Sequence, residues 1–409
     1  MREREMDGGG GGEHRWRDWA GLPGELLASI RERLLVDDFV RFAAVCTGWR
    51  HSGPAKPAPQ LPWLMVPPHS SGITCRFISP SDGKIYFVAV PELRGTRCVG
   101  SCHGWVATVS RASLEMSLVN PLTRARIPLP SLTTAPEITA VCEEGDDRVT
   151  QYRFRATGGI SNLFRVEAAH GTIEKVVMSC NPTHAACKIA AGFDYFFPPA
   201  SVAVGGEKWT VTNRACLMRD IVYHEGEGVF YGVDFTNRVL RWGVDDVGVL
   251  EYCRCLDFPG SGDKRHWKRH LVVHRPSGDL LLVFFDLASA RSSQEVAPGR
   301  ILKEMGAVRI FGYKLGGSAG SWQPLERLGG CSVFLGKNMS ICLSAQEVPE
   351  LRTDCVFFID QSYTHVGRKP QRTHGSWVYD LKEGVWEPYF YRAWRNSHEA
   401  PLWFTPNIS

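Results

Sequence analysis

Beyond residue 62 the chain repeats one layout: an apolar run, a polar turn, and a returning run that ends on Trp or another apolar residue before a proline or polar position. Residues 116–130 are written this way, as are 229–242, 308–325 and 377–388. Short β-branched and aromatic runs broken by Asp, Asn and Gly specify antiparallel hairpins. A lone hairpin leaves an apolar face and open edges, so several in one chain need neighbours that cover them.

A ring of four-stranded sheets meets that need, and the hairpins then read as the outer halves of β-propeller blades. Inner halves are legible at 100–108 and 270–285, and the stretch around Tyr152 to Met178 has room for one or two more blades. At about 40–50 residues per blade, residues 63–409 predict six or seven blades. The fold class is α+β multidomain: a small three-helix segment, then an all-β propeller. The expected boundaries are a disordered Gly-rich tail over 1–18, a helical domain over 19–52, a Pro-rich linker over 53–62, and the propeller over 63–409.

The helical segment follows from Leu22-Pro23-Gly24-Glu25-Leu26-Leu27 and its continuation. Pro23 suits a first helical position, Glu25 the positive end of the helix dipole, and Leu26, Ile30 and Leu34 recur four apart. Asp37 or Asp38 can cap a second helix carrying Phe39, Phe42, Cys46 and Trp49, and Gly48 marks a break before a short third helix or turn. So small a unit cannot bury all these side chains within itself, so part of the apolar surface is expected to face a partner.

This segment resembles the F-box. The match runs through Leu22, Pro23, Leu26, Leu27, Ile30, Leu34, Asp37, Phe42, Val45, Cys46, Trp49 and Arg50. The resemblance implies a partner, the Skp-type adaptor, and through it a cullin of a ubiquitin ligase, with the rest of the chain recruiting a protein substrate. Leu22, Pro23, Leu26, Leu27 and Ile30 are the expected anchors, and Val45, Cys46 and Trp49 complete the interface or its supporting core.

The remainder is similar to plant F-box proteins with a degenerate, kelch-related propeller of KIB type. The resemblance rests on Pro62-Trp63-Leu64-Met65, Ser101-Cys102-His103-Gly104-Trp105, Leu118-Val119-Asn120-Pro121-Leu122-Thr123 with Ile127-Pro128-Leu129-Pro130, and Trp403-Phe404-Thr405-Pro406. The paired glycines of a true kelch blade occur only as Gly329-Gly330.

A hydrophobic fraction of 44% and a net charge of +4 are ordinary for a soluble protein and too weak an imbalance to argue for nucleic acid or a membrane surface. The longest apolar runs fall far short of the ~20 residues that span a bilayer. Thirteen cysteines without a repeated spacing, and no secretory signal, read as reduced thiols of a cytoplasmic or nuclear protein, which leaves the sequons at Asn338 and Asn407 unused.

Several motifs invite chemistry. Lys264, Arg265, Trp267, Lys268 and Arg269 form the strongest basic run and read as a solvated propeller loop or as one that recognises an acidic protein substrate; one loop is not the continuous basic face that nucleic acid requires. Gly316-Gly317-Ser318-Ala319-Gly320 matches a hydrolase nucleophile pattern but sits in a predicted hairpin rather than a strand-to-helix elbow. His266, His270 and His274 would line one face of a helix as metal ligands; Leu271-Val272-Val273 reads instead as a strand that scatters the rings, and Cys253-x-Cys255 adds no second ligand pair. Cys102 and His103, as adjacent strand residues, would point apart, with Cys102 in the core. No catalytic residue, metal or cofactor is therefore expected, and the chain reads as a non-catalytic substrate receptor. Two competing readings are a propeller enzyme or small-molecule binder capped by the helices, and a scaffold that sequesters the adaptor without a cullin.

Overall fold

A computed structural model describes residues 19, 21–54, 56–69, 71–142, 148–155, 161–193, 198–211, 218–234, 237–243, 267–286, 308–315, 322–360, 363–366, 369–372, 375–390 and 401–408. The chain divides into two compact units, one within residues 1–59 and one over Gln60–Ile408.

The first unit holds three helices: α1 (Gly24–Arg31), α2 (Val36–Val45) and α3 (Thr47–His51). The Pro23 carbonyl accepts from the amides of Leu26 and Leu27, which starts α1. Asp37 and Asp38 do not cap α2, which begins at Val36 with Leu35 before it. They lie in its first turn, favoured by the helix dipole, and pair with Arg41 at 3.1 and 2.7 Å. The break falls at Cys46, whose extended backbone ends α2 and leads into α3; Gly48 lies inside α3.

Leu27, Val36, Phe39 and Phe42 form the buried centre of this unit. Arg31 is buried with them, its guanidinium 4.3 Å from the centre of the Phe39 ring and donating to the carbonyls of Arg50 at 2.5 Å and Ser52 at 2.6 Å. One charged side chain thus gathers the end of α1, the core of α2 and the exit of α3.

In the second unit, seven sheets of three to five strands and one two-stranded hairpin are present among the described residues. All four predicted hairpins form in antiparallel register, for example Met116↔Leu129 and Trp377↔Pro388. Six sheets follow one another around a ring. Leu402–Phe404 packs beside Thr96–Cys102, which packs beside Ile173–Met178, then Met218–His224, then Trp267–Val273, then Ile341–Ser344. Phe334 and Phe357 of the sixth sheet share a core with Leu64 and Trp403 of the first, which closes the ring. The first blade is itself made from two distant parts of the chain, Leu402–Phe404 pairing with Trp63–Val66. The seventh sheet (Ile138–Cys142, Val149–Arg155, Ser161–Arg165) is inserted between the second and third blades without entering the ring.

Blades are locked to each other by buried tryptophans. Trp209 Nε1 donates to the Pro130 carbonyl at 2.9 Å, Trp242 Nε1 to Ser201 Oγ at 3.1 Å, and Trp403 Nε1 to the Leu335 carbonyl at 3.1 Å. Each bond satisfies an indole that burial would otherwise leave costly. The inner strands approach closely enough to need glycine: a Cβ at Gly100 would lie 2.1 Å from the Val176 carbonyl oxygen. His103 and Gly104, both at positive φ, form the two-residue turn of a hairpin rather than an extended strand.

Candidate interaction surfaces

The exposed apolar side chains of the described residues are concentrated in the helical unit. Leu26 is 54% exposed, Ile30 44%, Val45 56%, and Trp19 and Val40 are similarly open. Leu26 and Ile30 are one turn apart on α1 and form a stripe facing away from the core. Pro23 is exposed beside them and Leu22 is half-buried. Leu27 turns inward at 4% exposure. Cys46 and Trp49 are half-buried; the Trp49 ring packs 4.5 Å from that of Phe42, and its Nε1 donates to the Trp19 carbonyl at 3.2 Å. The eight residues expected at this surface therefore separate into an outer group (Leu22, Pro23, Leu26, Ile30, Val45), the inward Leu27, and a supporting pair (Cys46, Trp49). Arg31, which holds the unit together, carries no apolar signal by which the sequence could announce it.

The basic run of the propeller resolves differently from the predicted loop. Lys264, Arg265 and His266 lie outside the described residues, as do Cys253, Cys255, the Gly316–Gly320 motif and the glycine-rich tail. Trp267–Val273 is the innermost strand of the fifth blade. Lys268 is exposed there, whereas Arg269 is buried, bonded through Nε to Asn237 Oδ1, and burial pushes its pKa down to about 10. Residues 267–269 are thus strand, because Leu271, Val272 and the apolar 280–285 run pair across the whole segment.

Where the inner strands begin, the charges of cations from several blades act on Glu174. Lys337 Nζ lies 3.7 Å from its carboxylate. Desolvation works against the Glu174 charge, but Lys337, Arg97, Lys268 and Arg219 together outweigh it and hold the carboxyl below its usual range. Desolvation in turn lowers Lys337 to about 8. Deeper in the ring, Lys175 pairs with Asp220, whose other oxygen accepts from the Leu271 amide at 2.8 Å and Ser340 Oγ at 3.3 Å and lies 3.5 Å from His270 Nδ1. Asp220 is buried, which raises a carboxyl, yet Lys175 and His270 keep it ionised below the ordinary value. Met339 fills the space beside this network: its amide donates to the Ser101 carbonyl at 3.1 Å, and its sulfur lies 3.6 Å from Cys102 Sγ. Met339 packs against the buried cores of several blades. Asn338, in the first sequon, is fully buried, so a glycan has no access to it.

Cys102 is a core thiol that donates to the Met178 carbonyl at 3.3 Å, and burial pushes its pKa up to about 12, which denies it a nucleophilic thiolate. His270 and His274, four apart along the inner strand and its exit, do not scatter: alternate strand residues share a face, and His270 lies between Asp220 of the fourth blade and Phe358 of the sixth. His270 stacks on Phe285 at 5.7 Å, while His274 lies near Cys331 and Cys342. No helix among the described residues is long and apolar enough to cross a membrane.

A model of the KIB1-4 β-propeller family matches residues 77–380. The F-box/kelch-repeat protein KIB1 of Arabidopsis thaliana is 23% identical over 387 residues, covering 90% of this chain and 83% of its own. From the same plant, F-box protein At4g12382 is 30% identical over 126 residues (30% of this chain, 91% of its own), and F-box protein At4g00893 is 26% identical over 166 residues (40% of each). Several curated relatives are matched over less than half of their own length, 31% in one case and 40% in another. The solved structure of Kluyveromyces lactis Hsv2 superposes on 62% of this chain and 82% of its own with a TM-score of 0.27 at 8% identity. The propeller ring and the match over most of the chain agree: the chain belongs to the KIB1-4 β-propeller family.

Proposed function

We propose that the chain is a non-catalytic substrate receptor of a Skp–cullin–F-box ubiquitin ligase. The observation that carries this reading is the exposed stripe of Leu26 and Ile30, with Pro23 and Val45, on a helical unit too small to need it for its own core. Leaving such side chains in water forgoes roughly 1.5–3 kcal/mol each, which a docking adaptor recovers. The F-box names of its relatives support the same reading. The ligase's bond chemistry then belongs to other subunits, and this chain contributes proximity, holding a target at high effective concentration.

The target is assigned to the propeller end where the inner strands begin. Lys268, Arg219, Arg97 and Lys337 come from separate blades and their charges all act on the Glu174 carboxylate, a cationic end suited to an acidic segment of a protein.

The test is co-purification of the full chain with a Skp-type adaptor and a cullin, beside a Leu26→Asp/Ile30→Asp variant. Both residues are exposed, so the variant should fold with an unchanged thermal midpoint while adaptor capture falls at least a hundredfold. Capture of adaptor without cullin would favour sequestration. Equal capture by wild type and variant would remove the helical unit from the interface and turn attention to the propeller as an independent binder.

A further inference from the structure

We propose that His274, Cys331 and Cys342 form a Zn(II) site that staples the fifth blade to the sixth. A ring nitrogen of His274 and the two Sγ atoms lie within 4.8 Å of one another. In a tetrahedral zinc site, bonds of ~2.3 Å to sulfur and ~2.05 Å to nitrogen set ligand atoms about 3.5–3.8 Å apart. A contraction of about an ångström from three side-chain rotations would complete the set.

Each ligand is held by its own element. His274 follows the inner strand Trp267–Val273 and opens the turn to Leu280–Asp286. Cys331 begins the strand Cys331–Leu335 and Cys342 lies in its partner Ile341–Ser344, where the register Val333↔Cys342 and Cys331↔Ser344 places both thiols diagonally on one face. Both cysteines are buried and His274 is half-buried, so the set lies just under the surface, the histidine being its most exposed member. Two thiolates and a neutral imidazole match the preference of a borderline-soft dication, and their charges balance it. On binding, each thiol releases a proton to solvent; no oxidant or reductant is involved.

A second observation comes from the repeat itself. The preceding blade has a histidine at the same place, His224, at the end of its inner strand Met218–His224. There Nδ1 accepts from the Glu227 amide at 3.0 Å and Nε2 donates to the Gly278 carbonyl of the next blade at 2.6 Å. His274 repeats the arrangement, with Nδ1 against Ser277 Oγ at 2.8 Å, but its Nε2 lies 3.3 Å from the Leu328 carbonyl. The latch has lengthened by 0.7 Å at the one of these two positions where two thiols face the ring. Ser277 fixes Nδ1, the second-sphere contact that leaves Nε2 to a metal.

The experiment uses the full-length chain, purified reduced and stripped with a chelator, then titrated with Co(II) and with Zn(II) against a chromophoric competitor. The expected result is one metal per chain, a thiolate-to-cobalt charge-transfer band displaced by Zn(II), and an affinity at least about a hundredfold weaker in His274→Gln, beyond what outer contacts alone cost. Cys331→Ser and Cys342→Ser should each halve the band. His224→Gln removes the equivalent latch without touching the thiols and should bind metal as the wild type does; it controls for loss of stability and for adventitious binding by other cysteines. Absence of stoichiometric binding, or equal affinity in His274→Gln and His224→Gln, would overturn the site. So would a Cys331–Cys342 disulfide in air combined with a reduced form that takes no metal.

Discussion

Leu26 and Leu27 are adjacent in sequence and opposite in role. A helix turns each residue about 100° from the last, so one leucine of the pair is buried, as Phe39 and Phe42 are, while the other stays in water. Leu27→Ala should therefore lose about 2–4 kcal/mol of the helical unit's stability, as cavity-forming changes do, whereas Leu26→Ala should move it by no more than about 0.5 kcal/mol. Chemical denaturation followed by the signal of Trp49 distinguishes the two. His170 gives a second single-residue expectation. Burial, with the Arg111 and Arg97 charges, pushes its imidazole down to about 4, while its Nε2 accepts from Arg111 at 3.2 Å. The unfolded chain takes up a proton near its ordinary value of ~6.5 and the folded chain does not. Stability should be level above that pH and fall as pH drops from about 6.5 to 4, by about 2 kcal/mol once the part of the ring that solvent reaches is discounted. His170→Gln keeps an acceptor for Arg111 and should flatten that slope; an unchanged slope would assign it to other groups.

At the scale of elements, inner strands face their neighbours at backbone distance. Gly100→Ala would drive a methyl group to 2.1 Å from the Val176 carbonyl, and backbone cannot move aside as a flexible side chain does. The expected outcome is a loss of about 2–4 kcal/mol or failure to fold, read from the thermal midpoint. Gly83→Ala, where nothing stands within 4 Å but φ is +68°, should cost only about 1 kcal/mol. The sequence carried the hairpins well, because a turn and the two runs beside it are local. Asn120 is an example: its Oδ1 accepts from the amides of Leu122 and Thr123, so Asn-Pro-Leu-Thr reads directly as a turn. What the same Asn does with its Nδ2, donating to the Asn407 carbonyl at 3.0 Å, was not legible, since no local pattern reports a contact 287 residues away. The basic run failed for the same reason. Charge suggested a loop at 267–269, but pairing with 284–286 decided for strand. At the helical unit the motif named the residues, yet the division between Leu27 and Ile30 needed the packing.

The whole propeller depends on how its ring is closed. Most blades are continuous in sequence and form from local hairpins, but the first combines Trp63–Val66 with Leu402–Phe404, so the ring closes only when strands more than three hundred residues apart pair. Trp403 sits at that seam, fully buried in the core that joins the first and sixth blades, and its indole donates to the Leu335 carbonyl. Asn407, just beyond, donates to the His103 carbonyl at 3.2 Å and so anchors the segment to the second blade. An open ring would expose the apolar faces of two blades and an unpaired edge at Trp63–Val66. The pairing is also the most non-local in the domain, so its loop-closure cost falls late in folding. Trp403→Ala should thus cost about 3–5 kcal/mol at equilibrium and act mainly on the unfolding rate, because a contact formed late is little developed in the transition state. Stopped-flow folding and unfolding of wild type and Trp403→Ala measure both arms. If the folding arm slows by as much as the stability falls, the seam forms early and the ring is nucleated at its closure rather than completed there.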